Sequence, residues 1–125
     1  MKEESIVSMK AKTRRVDSVT VVDISGRITL GEDLTELRQL IRNLLAQDQK
    51  HILLNLADVT YIDSSGIGEL VSGFTAASNQ GGQLKLLSLT KKVHDLLQIT
   101  KLLTVFEVYD DEAQAIASFQ KAAGA

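Results

Sequence analysis

The chain has 125 residues, 44% of them hydrophobic and 24% charged, which suits one domain with a single core and is too short for two ordinary domains. Its net charge is −2, and no dense basic cluster occurs beyond Arg14–Arg15 and Lys91–Lys92, so direct nucleic-acid binding is not indicated. The absence of cysteine excludes disulfides and thiolate metal sites.

The first half of the chain predicts two strands, a helix and a third strand. Ser5–Lys12 and Ser18–Ser25 are predicted as strands that pair as a hairpin through a turn over Arg14–Asp17. A helix follows, because acidic residues precede apolar ones at helical spacing: Leu34, Leu37, Ile41, Leu44 and Leu45. The apolar run in His51–Leu56 then predicts a short strand at the centre of the sheet, buried on both faces.

A second helix is predicted after Asp63, Ser64 and Ser65, and it ends near Asn79–Gly82. Its inward stripe consists of Ile67, Leu70, Val71 and Phe74. Gln83–Leu87 is predicted as the fourth strand. The next helix is short and capped by Thr90, with an apolar face formed by Val93, Leu96 and Leu97.

The fifth strand is predicted at Val105–Val108, followed by a helix capped by Asp110 or Asp111. The apolar face of that helix is predicted at Ala113, Ile116, Ala117 and Phe119 or Gln120. Strands separated by helices indicate an α/β fold, with a mixed central sheet of about five strands covered by about four helices. We expect one domain over residues 1–125, with an ordered core of roughly 5–120.

The boundary between the third strand and the second helix carries the most informative residues, Asp63, Ser64 and Ser65. Side-chain oxygens of these types accept hydrogen bonds from the free backbone N–H groups of a first helical turn. The same N–H groups favour a phosphate, so a serine here can be a cap, a phosphate acceptor or both. Gly66 and Gly68 each cost a helix roughly 1 kcal/mol relative to alanine, which suggests that some group approaches the backbone closely.

Catalysis by a serine hydrolase is not indicated, and we expect no enzymatic activity. Such an enzyme needs a base near its nucleophile and an oxyanion hole. The G-x-S-x-G elbow is absent because Ile62 and Asp63 precede Ser64, and the only histidines are His51 and His94. The segment Gly66–Val71 resembles part of a dinucleotide-binding loop but lacks its third glycine.

Metal and anion sites also have simpler explanations, so no cofactor or metal is expected. Asp58 and Asp63 lie five residues apart on a predicted loop and could hold Mg²⁺, but turn and capping roles suit them better. Lys91 and Lys92, beside His94, are predicted to form a solvated face. Tyr61 either faces a partner or packs on the first helix.

Targeting signals are not recognisable in the sequence. No run approaches 18 apolar residues, and the start Met1–Glu4 is followed by neither a continuous apolar stretch nor a small-residue cleavage site. We therefore expect a cytoplasmic protein without membrane insertion.

The segment from Leu54 through Asp63-Ser64-Ser65-Gly66-Ile67-Gly68 closely resembles the signature of STAS domains, specifically that of bacterial anti-sigma-factor antagonists. The resemblance extends over nearly the whole chain and includes Val19–Gly26, Gly81–Leu87 and Val93–Leu102. It implies that Ser64 is phosphorylated by an anti-sigma factor with serine kinase activity and is reset by a serine phosphatase. It also implies a partner-binding surface formed by Asp63, Ser64, Ser65, Gly66, Ile67, Gly68 and Thr29.

Three points remain open. Many antagonists have an acidic residue where this chain has Thr29, in a region that lies near the phosphorylation site in the family. STAS domains also serve as structural subunits of stress-sensing or membrane lipid-transport complexes, which is the alternative function. Chemistry alone does not distinguish Ser64 from Ser65 as the phosphate acceptor.

Overall fold

The computed structural model describes residues 9–124, with side chains described through residue 120. This part of the chain forms five strands and four α-helices, with one short 3-10 helix at Leu103–Val105. The elements in order are β1 (Met9–Val16), β2 (Val19–Ile28), α1 (Glu32–Ala46), β3 (His51–Ile62), α2 (Ser64–Asn79), β4 (Gln83–Leu87), α3 (Lys91–Ile99), β5 (Val108–Tyr109) and α4 (Glu112–Gly124).

The strands lie in the sheet in the order in which they occur in the sequence, β1-β2-β3-β4-β5. β1 and β2 form the predicted antiparallel hairpin, and the three remaining pairs are parallel. The helices α1, α2 and α3 connect successive parallel strands that progress in one direction across the sheet. Since such crossovers are right-handed, all three lie on the same face. The mixed sheet and central position of β3 confirm the predicted α/β fold.

Two apolar clusters cover the two faces of this sheet. The larger joins the sheet to α1, α2 and α3 and includes the fully buried residues Leu37, Leu54, Ile67 and Leu70. The smaller joins the opposite face to α4 and consists of Val19, Val21, Leu53, Leu87, Ala115, Ile116 and Phe119. The sheet is therefore buried on both faces at its centre, as the run in His51–Leu56 predicted.

The hairpin differs from its prediction because β1 continues to Val16. Residues 5–8 of the predicted first strand lie outside the described residues. The predicted turn over Arg14–Asp17 is wrong, since the turn is formed by Asp17 and Ser18, whose φ angles are 50° and 68°. Two positive φ angles in a two-residue loop match the right-handed twist of the strands that it joins.

β2 and β3 run past their predicted ends at Ser25 and Leu56 and stay paired as far as Ile28 and Ile62. The register shifts twice along this pair, between Asp23 and Ser25 and between Gly26 and Arg27, and each shift places an additional residue in β3. The extra residues break the alternation of buried and exposed positions, which is why the sequence pattern ended the strand early.

The fifth strand and the last helix also differ from their predictions. The segment predicted as Val105–Val108 begins instead with the end of the 3-10 helix, and β5 contains only Val108 and Tyr109. In α4, Ala115 is buried with Ile116 and Phe119, whereas Ala113 and Ala117 of the predicted stripe are exposed. The Asp111 side chain caps α4 by accepting the Gln114 N–H at 3.1 Å, and Thr90 caps α3 as predicted.

Candidate functional site

The serine turn lies where β3 ends and α2 begins, at the carboxyl edge of the parallel strands. Ser64 is the first residue of α2 and is exposed, whereas Ser65 is half-buried. Neither hydroxyl makes a side-chain hydrogen bond with any other part of the chain that the structure describes. The Ser64 hydroxyl therefore faces solvent on a regular element, which suits a modification site better than a structural cap.

Asp63 is the side chain that holds this turn together. Its Oδ1 accepts the Gly66 N–H at 2.8 Å and so caps α2, while its Oδ2 accepts the Leu30 N–H at 3.1 Å. Its own backbone N–H donates to the Ile28 carbonyl at 3.3 Å. One carboxylate thus joins the start of α2 to the loop between β2 and α1, and it fixes the position of Ser64 relative to both.

The two glycines of the turn have different roles. A Cβ on Gly66 would lie 2.6 Å from both the Ile28 carbonyl oxygen and Ile62 Cγ1, so this glycine permits α2 to begin directly against the end of β2. A Cβ on Gly68 would meet nothing within 4 Å. The group that approaches the backbone closely at Gly66 is therefore the end of β2 in the same chain. Gly68 instead leaves an open surface of low bulk next to Ser64 on the helix.

Two residues assigned to the partner surface by sequence are buried instead. Gly66 is buried beneath the turn, and Ile67 is only 1% exposed because its side chain packs in the larger core. They shape the surface from below and do not present atoms to a partner. The exposed or partly exposed members of the predicted set are Asp63, Ser64, Ser65, Gly68 and Thr29.

Thr29 lies next to the serine turn, on the loop that Asp63 contacts. Its Oγ1 donates to Asp33 Oδ2 at 3.2 Å. Asp33, four residues later, is only 9% exposed and largely enclosed. Asp63 bonds to the residues on either side of Thr29, through the Ile28 carbonyl and the Leu30 N–H.

The sequence reasoning missed an ion pair that links α1 to α2 beside the site. Glu69 is only 5% exposed, and its Oε1 accepts from Arg38 Nη2 at 3.0 Å and Arg38 Nε at 3.1 Å. A buried carboxylate requires such a partner because its desolvation is costly. The sequence did indicate a buried carboxylate, because Glu69 lies between the apolar positions Ile67 and Leu70. It did not indicate the partner, because Arg38 is 31 residues away.

The structure does not bring together the residues of the other candidate sites, the metal site and the histidines. Asp58 lies within β3 and not on a loop, so its five-residue separation from Asp63 spans about 16 Å of extended chain, too far for one ion. Among the described residues, no group of three or more His, Cys, Asp or Glu side chains is placed to hold a metal ion. His51 packs against the Phe119 ring, and His94 lies beside Asp95, so neither contacts Ser64.

Tyr61 is partly exposed and lies beside two cations. The Tyr61 ring is 38% exposed and lies 5.1 Å from the Arg27 guanidinium carbon and 5.6 Å from Lys92 Nζ. Lys91 behaves differently, since its ammonium group donates to Asp95 at 2.8 Å.

None of the described helices combines the length and the apolar character required to cross a bilayer.

A family model for the STAS domain matches residues 10–115 of the chain. The chain belongs to the STAS domain family. This match includes all five strands, α1 to α3 and the start of α4, together with the serine turn.

Named relatives within this family are anti-sigma factor antagonists. The chain is 24% identical over 102 residues to an anti-sigma F factor antagonist of Paenibacillus polymyxa, covering 82% of this chain and 87% of the relative. A crystal structure of a putative anti-sigma factor antagonist from Thermotoga maritima superimposes with a TM-score of 0.77 at 26% identity, covering 88% of this chain and 94% of that one.

The fold is also shared with the anti-sigma factor antagonist SpoIIAA. Its unphosphorylated form gives a TM-score of 0.77 at 19% identity, covering 90% of this chain and 97% of that chain. The Bacillus SpoIIAA structure in the phosphorylated form gives a TM-score of 0.70, also at 19% identity, covering 87% and 98%. At this identity the likeness establishes a shared fold, which is the five-stranded STAS architecture.

Proposed function

We propose that this STAS protein is an anti-sigma factor antagonist that acts as a non-catalytic, phosphorylation-controlled binding switch. With Ser64 unmodified, it binds an anti-sigma factor and thereby frees a sigma factor. With Ser64 phosphorylated, it releases that partner. The observation that carries the proposal is the exposed Ser64 hydroxyl at the anchored start of α2, in a chain whose named relatives are anti-sigma factor antagonists.

Comparison with SpoIIAA supports the role of phosphorylation in this proposal. That antagonist has been solved in unphosphorylated and phosphorylated forms. Here the position suits such a modification chemically, because the N-terminal end of a helix favours an added anion. The first turn of α2 contains no acidic side chain of its own, and its cap Asp63 already accepts two backbone N–H groups.

Exclusion of the partner follows from the charge added to this surface. A phosphoserine adds about −1.5 to −2 charges, and here the charge would lie next to the Asp63 carboxylate. Within an interface, like-charge contact or an unpaired anion costs several kcal/mol, and each 1.4 kcal/mol is tenfold in affinity. Phosphorylation therefore weakens partner binding by about a hundredfold or more, with no change in the fold.

The surface that the partner covers comprises the exposed part of the turn and the adjoining loop. Ser64, Ser65 and Gly68 provide a region of low bulk, and Asp63 holds the loop at Thr29 against it. The partner is an anti-sigma factor with serine kinase activity, which places the phosphate on Ser64 itself. A separate serine phosphatase restores the binding form.

The first test is phosphorylation of the purified chain by ATP and a soluble extract of its source cells, followed by intact-mass and peptide mapping. We expect one phosphoryl group on Ser64, absent from Ser64→Ala and retained in the matched control Ser65→Ala. Phosphate on Ser65 would contradict the assignment of the switch to Ser64. No phosphate, while the extract labels a control antagonist, would contradict the switch itself and favour a structural STAS subunit.

The second test uses the anti-sigma factor kinase purified from that extract. Ser64→Ala should bind it as tightly as the parent chain, whereas Ser64→Asp and the phosphorylated parent should bind about a hundredfold more weakly. Equal affinities for the parent and the two negatively charged forms would show that the charge at Ser64 does not control binding.

A further inference from the structure

The second half of β3 has an open side near the serine turn. β4 pairs with β3 only from His51 to Asn55, whereas Asp58, Val59, Tyr61 and Ile62 pair with β2 alone among the described strands. A groove of about 500 Å³ lies along this segment, lined by Ala57–Thr60 on one side and Thr90–Lys92 on the other. An open strand segment of this kind offers unpaired backbone groups to an extended peptide.

Lys92 lines this groove, and both Lys92 and Arg27 lie beside the ring of Tyr61; we call these three side chains the rim. Arg27 and Lys92 are exposed, and their charged groups lie 5.1 and 5.6 Å from the centre of the Tyr61 ring. No salt bridge joins either of them to an acidic side chain in the described part of the chain. Their charge is therefore available to an incoming anion, although the chain as a whole has a net charge of −2.

The composition of this rim matches the centre of a protein interface. Tyrosine and arginine are enriched among residues that dominate binding energy, and a ring in contact with cations holds them in a defined place at modest entropic cost. Asp58 is the one acidic side chain that lines the groove, and it lies three residues before Tyr61. Arg27 and Lys92 thus place positive charge beside Tyr61, and Asp58 places a carboxylate on the groove itself.

We propose that this rim binds an extended acidic segment of the anti-sigma factor, with a partner carboxylate at Arg27 and Lys92 and no acidic residue opposite Asp58. The inference rests on the proposed function and adds to it a second contact region. Tyr61 precedes Ser64 by three residues at the same edge of the sheet, so one partner can cover both regions. The serine then controls whether binding occurs, and the rim selects which partner binds.

The proposal is tested by measuring the affinity of the anti-sigma factor kinase for the charge-reversal variants Arg27→Glu and Lys92→Glu and for Tyr61→Ala. The matched control is Arg15→Glu, which reverses an exposed cation on β1. We expect each rim variant to bind at least about tenfold more weakly, and the control to bind like the parent. The milder variants Arg27→Gln and Lys92→Gln provide the same comparison if a reversal disturbs folding.

A second measurement distinguishes a bound segment from long-range attraction. Hydrogen exchange at the amides of residues 57–62 should slow on binding, because a segment along β3 covers them. Rim variants that change only the association rate, with no protection at these amides, would overturn the proposal. Full binding by all rim variants while Ser64→Asp fails to bind would do so too. Failure of the parent chain to bind the kinase would count instead against the proposed function.

Discussion

The starts of α2 and α3 lie at the same edge of the sheet but are built differently. α2 is capped by a carboxylate that also binds the neighbouring loop, and its first residues are small and uncharged. α3 is capped by Thr90, whose Oγ1 accepts the Val93 N–H of the same helix at 3.4 Å, and its first two residues are lysines. The first start is fixed by several bonds and presents a hydroxyl, whereas the second presents positive charge.

The difference separates two requirements of a regulated surface. The position of the group that is modified must be fixed, so that one added phosphate meets the partner in a defined place. The groups that attract the partner need only project from a stable helix. In this protein Asp63 and Gly66 fix the position of Ser64, and we assign the attraction of the partner to Lys92 together with Arg27.

The largest loss of stability is expected for Gly66→Ala, at the start of α2. The new methyl group would lie 2.6 Å from the Ile28 carbonyl oxygen, a backbone atom that cannot move without displacing β2. We expect a loss of about 3 kcal/mol in the free energy of unfolding, measured by urea denaturation. The matched control is Gly68→Ala, where space is open and alanine should stabilise the helix by about 0.5–1 kcal/mol. Equal effects of the two substitutions would remove the distinction between the glycines.

Removal of the caps compares the two helix starts directly. Asp63→Ala deletes two hydrogen bonds and should destabilise the protein by about 1–2 kcal/mol. Thr90→Ala deletes one long bond and should cost about 0.5–1 kcal/mol. Thermal unfolding of both variants gives the order, and a larger loss for Thr90→Ala would contradict the view that α2 has the more firmly held start.

The start of α4 extends the comparison to a helix whose first residue forms an ion pair. Arg14 donates to Asp23 and to Glu112, each at 2.7 Å, and these hydrogen bonds lower the pKa of both carboxyl groups below their ordinary values. Because the folded-state pKa is lowered, the stabilisation is present above the unfolded-state pKa and is lost as pH falls through the folded-state value. We therefore expect the free energy of unfolding to decrease below about pH 4.

The pH effect should be small because these groups are more than a third exposed. Urea denaturation at pH 7, 5 and 3.5 measures it. In Arg14→Met the decrease between pH 5 and 3.5 should be smaller than in the parent, since the carboxyl groups no longer have a cation beside them. An unchanged decrease in this variant would assign the acid sensitivity to other residues.

Much of the architecture could be predicted because it depends on local patterns. The apolar run at the start of β3, the limits of β4 and the Thr90 cap follow from composition and spacing within a few residues. The second half of β3 could not be predicted in this way. Its two register shifts leave Val59 and Ile62 buried three residues apart, which matches neither strand alternation nor a sustained helical face.

The candidate site was predicted only in part for a related reason. Asp63, Ser64 and Ser65 are adjacent in sequence, so the turn and its capping chemistry were recognisable. Three other contacts join residues about 30 or more positions apart in the sequence. They are the hydrogen bond from Leu30 to Asp63, the ion pair of Arg38 with Glu69, and the contacts of Tyr61 with Arg27 and Lys92. Such contacts depend on how strands and helices pack, and no local pattern encodes them.

The sequential strand order has a consequence for how the protein folds. Each strand pairs with the strand before it in the sequence, so the sheet can grow by adding one strand and one helix at a time, and no pairing skips an intervening strand. The face formed by Val19, Val21, Leu53 and Leu87 remains uncovered until α4 docks on it. We expect pulse-labelling hydrogen exchange during refolding to show protection in β2 and β3 before α4, so that the intermediate most prone to aggregate is the one that still exposes this face.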